Sequence, residues 1–124
     1  MKTFRSNGKL LLTAEYAVLD GAIALAIPTV YGQTLKVENT SSASILWKSY
    51  DEAGNIWFEH EFSIDSIVSN SEIDLHNPTS NRILEILRRV KDLNPKFLNN
   101  NRGFKFETYL DFNRHWGLGS SSTL

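Results

Sequence analysis

The sequence contains no cysteine among its 124 residues. Disulfide bonds, thiolate nucleophiles and cysteine-ligated zinc sites are therefore excluded. A basic surplus is also missing, because 13 Lys and Arg residues face 14 Asp and Glu residues, giving a formal net charge of -1. Proteins that bind nucleic acid usually carry an excess of positive charge, so this balance argues against a nucleic-acid partner.

Long apolar runs are absent as well. The longest, from Gly21 to Tyr31, is interrupted by Pro28 and is too short to cross a bilayer. Residues 1–6 lack the apolar segment of a signal peptide. We therefore expect no membrane partner and a cytoplasmic location. Hydrophobic residues make up 41% of the chain and charged residues 22%, which is typical of a globular domain.

Hydrophobic periodicity predicts strands first, then a helix, then a further strand. We predict strands at residues 2–5, 9–13 and 31–39, with a turn at Ser6-Asn7-Gly8, and a hairpin of residues 44–47 and 56–62. Residues 63–77 are predicted to be a loop with one helical turn. The spacing in residues 81–93 predicts a helix with Arg88, Arg89 and Lys91 on its solvated face, and residues 104–112 alternate as a strand. This order predicts an α+β fold.

A segment rich in glycine and serine follows the last predicted strand. It reads Gly117, Leu118, Gly119, Ser120, Ser121, Ser122. The two glycines allow positive φ angles, and the serines supply N–H and hydroxyl donors. If a helix follows, the free N–H groups of its first turn complete an anion site. The segment alone is also compatible with a tight turn or a flexible tail.

A second motif lies near the N-terminus, where Gly8-Lys9 is followed by an apolar run and then by Glu15-Tyr16-Ala17-Val18. It resembles the first motif of the GHMP kinases, and Gly117 to Ser121 resembles their second motif, Gly-Leu-Gly-Ser-Ser. The Glu-Tyr pair is more similar to phosphomevalonate kinases than to mevalonate kinases, which usually have Glu-His. Together the motifs are closest to these two groups, with galactokinase-like and homoserine-kinase-like proteins left open. Asn7 and Ala14 stand where this family usually has proline and glycine.

The resemblance implies that residues 1–124 form an incomplete ribosomal protein S5 domain 2-like N-terminal domain of a GHMP kinase. The ATP-binding domain would be truncated after the phosphate-binding loop, and the C-terminal domain would be absent. ATP and Mg²⁺ are the implied cofactors. Residues 117–122 would hold the ATP phosphates, and the Ser121 hydroxyl would reach Mg²⁺. Lys9 would stabilise the transferred phosphate, and Glu15 and Tyr16 would face a small-molecule acceptor, with a structural role as the alternative for both.

No acidic residue of the sequence is a clear general base, because Asp20, Asp51 and Asp111 are explained by turns and strand ends. The resemblance places that base beyond Leu124. We therefore expect the isolated chain to be inactive, although it derives from an ATP-dependent small-molecule kinase. A non-catalytic binding module with the same fold is the alternative. An uncovered apolar sheet face would favour self-association of the chain.

Overall fold

A computed structural model describes residues 1–69, 75–100 and 102–120 of the chain. Five strands, two α-helices and a short 3₁₀ helix form in the following order: β1 (Lys2–Leu11), the 3₁₀ helix (Ala17–Asp20), β2 (Ala26–Asn39), β3 (Ser44–Tyr50), β4 (Ile56–Ser63), α1 (Ile64–Val68), α2 (Pro78–Leu93) and β5 (Phe104–Leu110). The α+β class predicted from the sequence is therefore confirmed.

The strands form one sheet in the order β1-β2-β5-β3-β4. All neighbouring pairs are antiparallel except β3 and β5, which are parallel. A parallel pair needs a crossover connection, and β4, α1 and α2 together supply it. Strand β5 consequently lies inside the sheet, and the residues that follow it leave the sheet beside β2.

Local sequence signals explain how α2 begins and how the hairpin turns. The side chain of Asn77 accepts hydrogen bonds from the Thr79 and Ser80 amides at 2.9 and 3.3 Å, and Pro78 occupies the first helical turn. In the β3–β4 turn, the Asp51 carboxylate accepts hydrogen bonds from the amides of residues 53 and 55. Asp51 is therefore a turn residue, as the sequence predicted.

The two faces of the sheet differ. Both helices pack on the inner face, where the core consists of Ile45, Trp47, Phe58, Phe62, Ile64, Ile67, Ile83, Leu84, Leu87 and Leu98. The outer face is polar, with an ion pair between Lys48 and Glu59 at 2.8 Å and a stacked pair of rings, Tyr50 and Tyr109. This asymmetry is typical of an antiparallel sheet with one covered side.

The β1–β2 half of the sheet is left uncovered in the described chain. No hydrophobic side chain in residues 1–44 is counted among the buried core residues. Large apolar side chains are instead exposed there: Phe4, Leu10, Leu12, Tyr16, Leu19, Ile23, Leu25, Ile27 and Val30. The apolar exposure expected from the sequence is thus present, and self-association stays a prediction.

Two local predictions were wrong. Ser6-Asn7-Gly8 is not a turn but the middle of β1, which runs without a break from Lys2 to Leu11. The solvated helix face was wrong for two of its three residues. Lys91 Nζ donates to the Pro95 and Phe97 carbonyl oxygens at 2.8 and 2.5 Å and to Asn99 Oδ1 at 2.6 Å. The Arg88 guanidinium donates two hydrogen bonds to the Ser66 carbonyl oxygen at 2.7 and 3.2 Å. Arg88 therefore joins α2 to α1.

Candidate functional site

The glycine loop, residues 117–120 of the described chain, lies against β1. The Lys9 amide donates a hydrogen bond to the Leu118 carbonyl oxygen at 3.0 Å. The β1–β2 register shifts at the same place: Asn7 pairs with Gly32, but Lys9 pairs with Pro28. Residues 29–31 of β2 thus bulge opposite Gly8. The two motifs identified from the sequence are in direct contact.

Gly8 is required by this contact. It is buried, and a Cβ atom at its position would lie 2.8 Å from the Leu118 carbonyl oxygen and 3.0 Å from the Thr29 hydroxyl oxygen. The first of these neighbours is backbone, so it cannot be relieved by a side-chain rotation. Only glycine lets the loop approach β1 this closely.

The loop has the backbone conformation that the sequence predicted. Gly117 has a φ of 71° and Gly119 a φ of 76°. Ser120 is half-buried beside a cavity, whereas Ser121 and Ser122 lie outside the described residues. The predicted Mg²⁺ contact of Ser121 and the phosphate contact of Ser122 therefore remain predictions.

Glu15 and Tyr16 lie in a separate, strained turn. Tyr16 has φ 66° and ψ -45°, and the Ala17 amide donates to the Glu15 carbonyl oxygen at 2.9 Å, which is a γ-turn of the less common, strained kind. Ala14, where the family motif usually has glycine, has a φ of 58°. Both predicted substrate-binding side chains are exposed, and in the described chain neither is hydrogen-bonded to the glycine loop.

A cavity of about 420 Å³ opens between the inner face of the sheet and the start of α2, next to Ser120. Its walls are mainly apolar and aromatic, including Trp47, Trp57 and Ile86. The charged residues in its lining are cationic, Arg82 and Arg114. An apolar cavity with a few polar groups is the common form of a small-molecule site, and the cationic lining favours an anionic ligand.

The segment between β5 and the glycine loop is itself ordered by local contacts. The Trp116 amide donates to the Asn113 carbonyl oxygen at 2.9 Å, and the Trp116 ring packs edge-on against Tyr31 with ring centroids 5.7 Å apart. The Arg114 guanidinium lies 4.7 Å from the centroid of the Trp57 ring. These contacts join the start of the loop to β2 and to the β3–β4 hairpin.

Asp111, the residue directly after β5, is the charged group best held near the loop. Its carboxylate accepts hydrogen bonds from the Gly32 amide and from Arg5 Nη2, each at 2.5 Å. Partial burial acts to raise the pKa of Asp111, but the Gly32 and Arg5 bonds outweigh it, so the pKa is lowered. Asp111 is thus a strand-end residue, as predicted, and it stays ionised.

Neither a protein-bound metal centre nor a free general base is evident in residues 1–69, 75–100 and 102–120. No group of three His, Asp or Glu side chains there is close enough to hold a metal ion. The Lys9 ammonium has no hydrogen-bond or ion-pair partner in the same ranges and is free to meet a ligand. None of the described helices is both long and apolar enough to span a membrane.

The sequence did not reveal several of these residues. No sequence motif includes Arg5, Trp57 or Arg82, and their positions depend on pairings between distant segments.

Comparison with solved structures identifies the fold. A mevalonate kinase from Methanococcus jannaschii superposes with a TM-score of 0.71 over 98% of this chain at 20% sequence identity. The chain has the fold of GHMP kinases. A galactokinase from Lactococcus lactis, solved with galactose, matches 98% of the chain with a TM-score of 0.68 at 18% identity. A Streptococcus pneumoniae phosphomevalonate kinase, solved with phosphomevalonate and AMPPNP, matches 99% with a TM-score of 0.64 at 23% identity.

The chain spans about a third of the length of these kinases: 36%, 29% and 33% of the three chains, respectively. Its sequence matches no protein-family model and no curated protein. The relationship to GHMP kinases therefore stands on the fold and on the two motifs that the fold brings together.

Proposed function

We propose that this chain forms the phosphate-binding part of an ATP-dependent small-molecule kinase. The observation that carries the proposal is the hydrogen bond from the Lys9 amide to the Leu118 carbonyl oxygen. It joins the two segments that resemble GHMP-kinase motifs, although they come from opposite ends of the sequence. The fold of the three kinases described above supports the same activity class.

In this proposal the glycine loop holds the β- and γ-phosphates of ATP. Gly117 and Gly119 have positive φ angles, as do residues of the backbone concavities that bind anions through their N–H groups. Mg²⁺ would offset the phosphate charge, and Ser121 would reach it through its hydroxyl. The free Lys9 ammonium would stabilise negative charge on the phosphate during transfer.

The cavity beside Ser120 is the proposed place for the nucleoside. It is large enough for a small planar ligand, and Trp57 and Arg114 form part of its wall. A ligand with its flat ring in the cavity would direct an anionic tail past Ser120 toward the loop. ATP has this shape and charge.

We favour acceptors of the phosphomevalonate or mevalonate type, because the Glu15-Tyr16 pair resembles the motif of those kinases. Those two side chains would contact the acceptor from the exposed turn. The Asp111 carboxylate is engaged by Gly32 and Arg5 and is poorly placed to take a proton. We therefore propose that the 124-residue chain binds Mg·ATP without transferring phosphate.

Titration calorimetry with Mg·ATP tests the binding step. Lys9→Ala is expected to weaken binding by about tenfold or more, because a charge-assisted contact is worth about 1.5–3 kcal/mol. Lys2→Ala, a matched change of an exposed lysine at the other end of β1, is expected to leave binding unchanged. Equal losses in both variants, or no binding by the unaltered chain, would contradict the proposal.

A transfer assay with labelled ATP tests the chemistry. Phosphomevalonate, mevalonate and galactose are supplied as acceptors, and we expect no labelled product from this chain. Product formed from any of them would refute the proposed inactivity and would identify the acceptor class at once.

A further inference from the structure

Arg5 and Asp111 form an ion pair across β2 on the outer face of the sheet. Arg5 Nη2 lies 2.5 Å from Asp111 Oδ2 and also donates to the Val30 carbonyl oxygen at 3.3 Å. The other Asp111 oxygen accepts from the Gly32 amide, and the Asp111 amide donates back to the Gly32 carbonyl oxygen at 3.2 Å. The pair therefore ties β1, β2 and the end of β5 together.

These bonds hold the middle and one end of the bulge of β2. Val30 is in the middle of the bulged residues 29–31, and Gly32 is the next residue along. Lys9 is the first residue of β1 to pair with β2 beyond the bulge, and its amide donates to the Leu118 carbonyl oxygen. A group that holds the middle of the bulge and the residue after it also holds the segment of β2 opposite Gly8, where the glycine loop docks.

We propose that Arg5 and Asp111 are positioning residues that hold the glycine loop on β1. The consequence for ATP rests on the proposed function, whereas the docking of the loop does not. Asp111 is followed by Phe112, which is 1% exposed, and by the turn at Asn113. The path from Asp111 to Gly117 is therefore short and anchored, so a displacement of Asp111 is passed on to the loop.

General stabilisation is a weaker explanation of the pair. Its side chains are 47% and 42% exposed, and an exposed ion pair contributes only about 0–1 kcal/mol. The pair instead fixes the position of the strands relative to one another, because each side chain is bonded to more than one strand. Its effect should therefore be local.

Hydrogen exchange of the Lys9 amide, followed by NMR in the full 124-residue chain, reports the docking directly. In the Arg5→Gln and Asp111→Asn variants we expect the protection factor of the Lys9 amide to fall about fivefold to tenfold compared with those of amides in β3 and β4. Asp111→Glu keeps the carboxylate and should retain most of the protection. The matched control is Glu59→Gln, which breaks the Lys48–Glu59 pair on the same face and should leave the Lys9 amide unchanged.

A parallel titration with Mg·ATP separates this inference from the proposed function. If the unaltered chain binds Mg·ATP, Arg5→Gln and Asp111→Asn should weaken binding at least threefold while Glu59→Gln does not. If it does not bind, the proposed function fails and the exchange comparison still decides the inference. An unprotected Lys9 amide in the unaltered chain would overturn the inference. So would a loss of protection shared equally with β3 and β4.

Discussion

Replacing Gly8 with alanine gives the sharpest test of the contact between the two motifs. The added methyl group would lie 2.8 Å from the Leu118 carbonyl oxygen and 3.0 Å from the Thr29 hydroxyl oxygen, so the loop must move away from β1. Gly8 does not have a positive φ, and alanine therefore brings no backbone strain of its own. The cost arises from the lost close approach.

The size of the effect follows from three contributions. Overpacking a tight contact costs about 1–3 kcal/mol. Loss of the Lys9–Leu118 hydrogen bond costs about 1 kcal/mol. Alanine restricts the unfolded chain and so returns about 0.4–1 kcal/mol. We expect the free energy of unfolding to fall by about 2 kcal/mol.

Urea unfolding followed by tryptophan fluorescence measures this change. Gly54→Ala is the control: Gly54 has a φ of 84° and nothing near its missing Cβ, so the variant is strained but far from the loop. Both variants should lose stability, but only Gly8→Ala should also lose protection of the Lys9 amide. A Gly8→Ala chain with unchanged stability and an unchanged Lys9 amide would refute the argument from close approach.

Three further predictions concern single residues. Ala14→Gly should raise the free energy of unfolding by up to about 1 kcal/mol, because it relieves a left-handed φ. Ala43 has no positive φ, so the control Ala43→Gly should lower the free energy of unfolding. The midpoints of urea unfolding compare the two variants. Ser49→Ala should cost about 1–3 kcal/mol, because Trp47 Nε1 and Thr108 Oγ1 both donate to the Ser49 hydroxyl, and a cost no larger than that of Thr108→Val would contradict this role. The lowered pKa of Asp111 contributes stability that is present above its unfolded value of about 3.9 and is lost as the pH falls toward the lower folded value. Asp111→Asn should therefore show a shallower loss of stability in urea titrations between about pH 5 and 3 than the unaltered chain, and identical slopes would contradict the assignment.

Local sequence patterns were sufficient for most elements. The hairpin around residues 51–55, the long helix and β5 each carry their own periodicity and turn signals, and the structure confirms them. The boundaries of β1 were wrong because Ser6-Asn7-Gly8 has the composition of a turn. Contacts with β2 and with Leu118 keep these residues extended, and neither partner is visible in a short stretch of sequence.

The candidate site was predictable only in part. The two motifs pointed to Lys9 and the glycine loop, and the fold places them in contact. The ion pair of Arg5 and Asp111 joins β1 to the end of β5, and these strands are not adjacent in the sheet, so no pattern in the sequence reveals it. Likewise, the strained φ angles of Ala14 and Tyr16 follow from the path of the chain after β1 and not from the character of those residues.

The bond between β1 and the glycine loop is made by two main-chain groups. The backbone amide and the side-chain ammonium of Lys9 can therefore have separate roles. The amide is architectural and is supplied equally by every amino acid except proline. The ammonium takes no part in that bond, and in the proposed function it contacts the phosphate. A chain with alanine at this position should thus keep the loop seated while losing its cation, whereas Lys9→Pro should release the loop. The two variants together would show how much of ligand binding depends on shape and how much on charge.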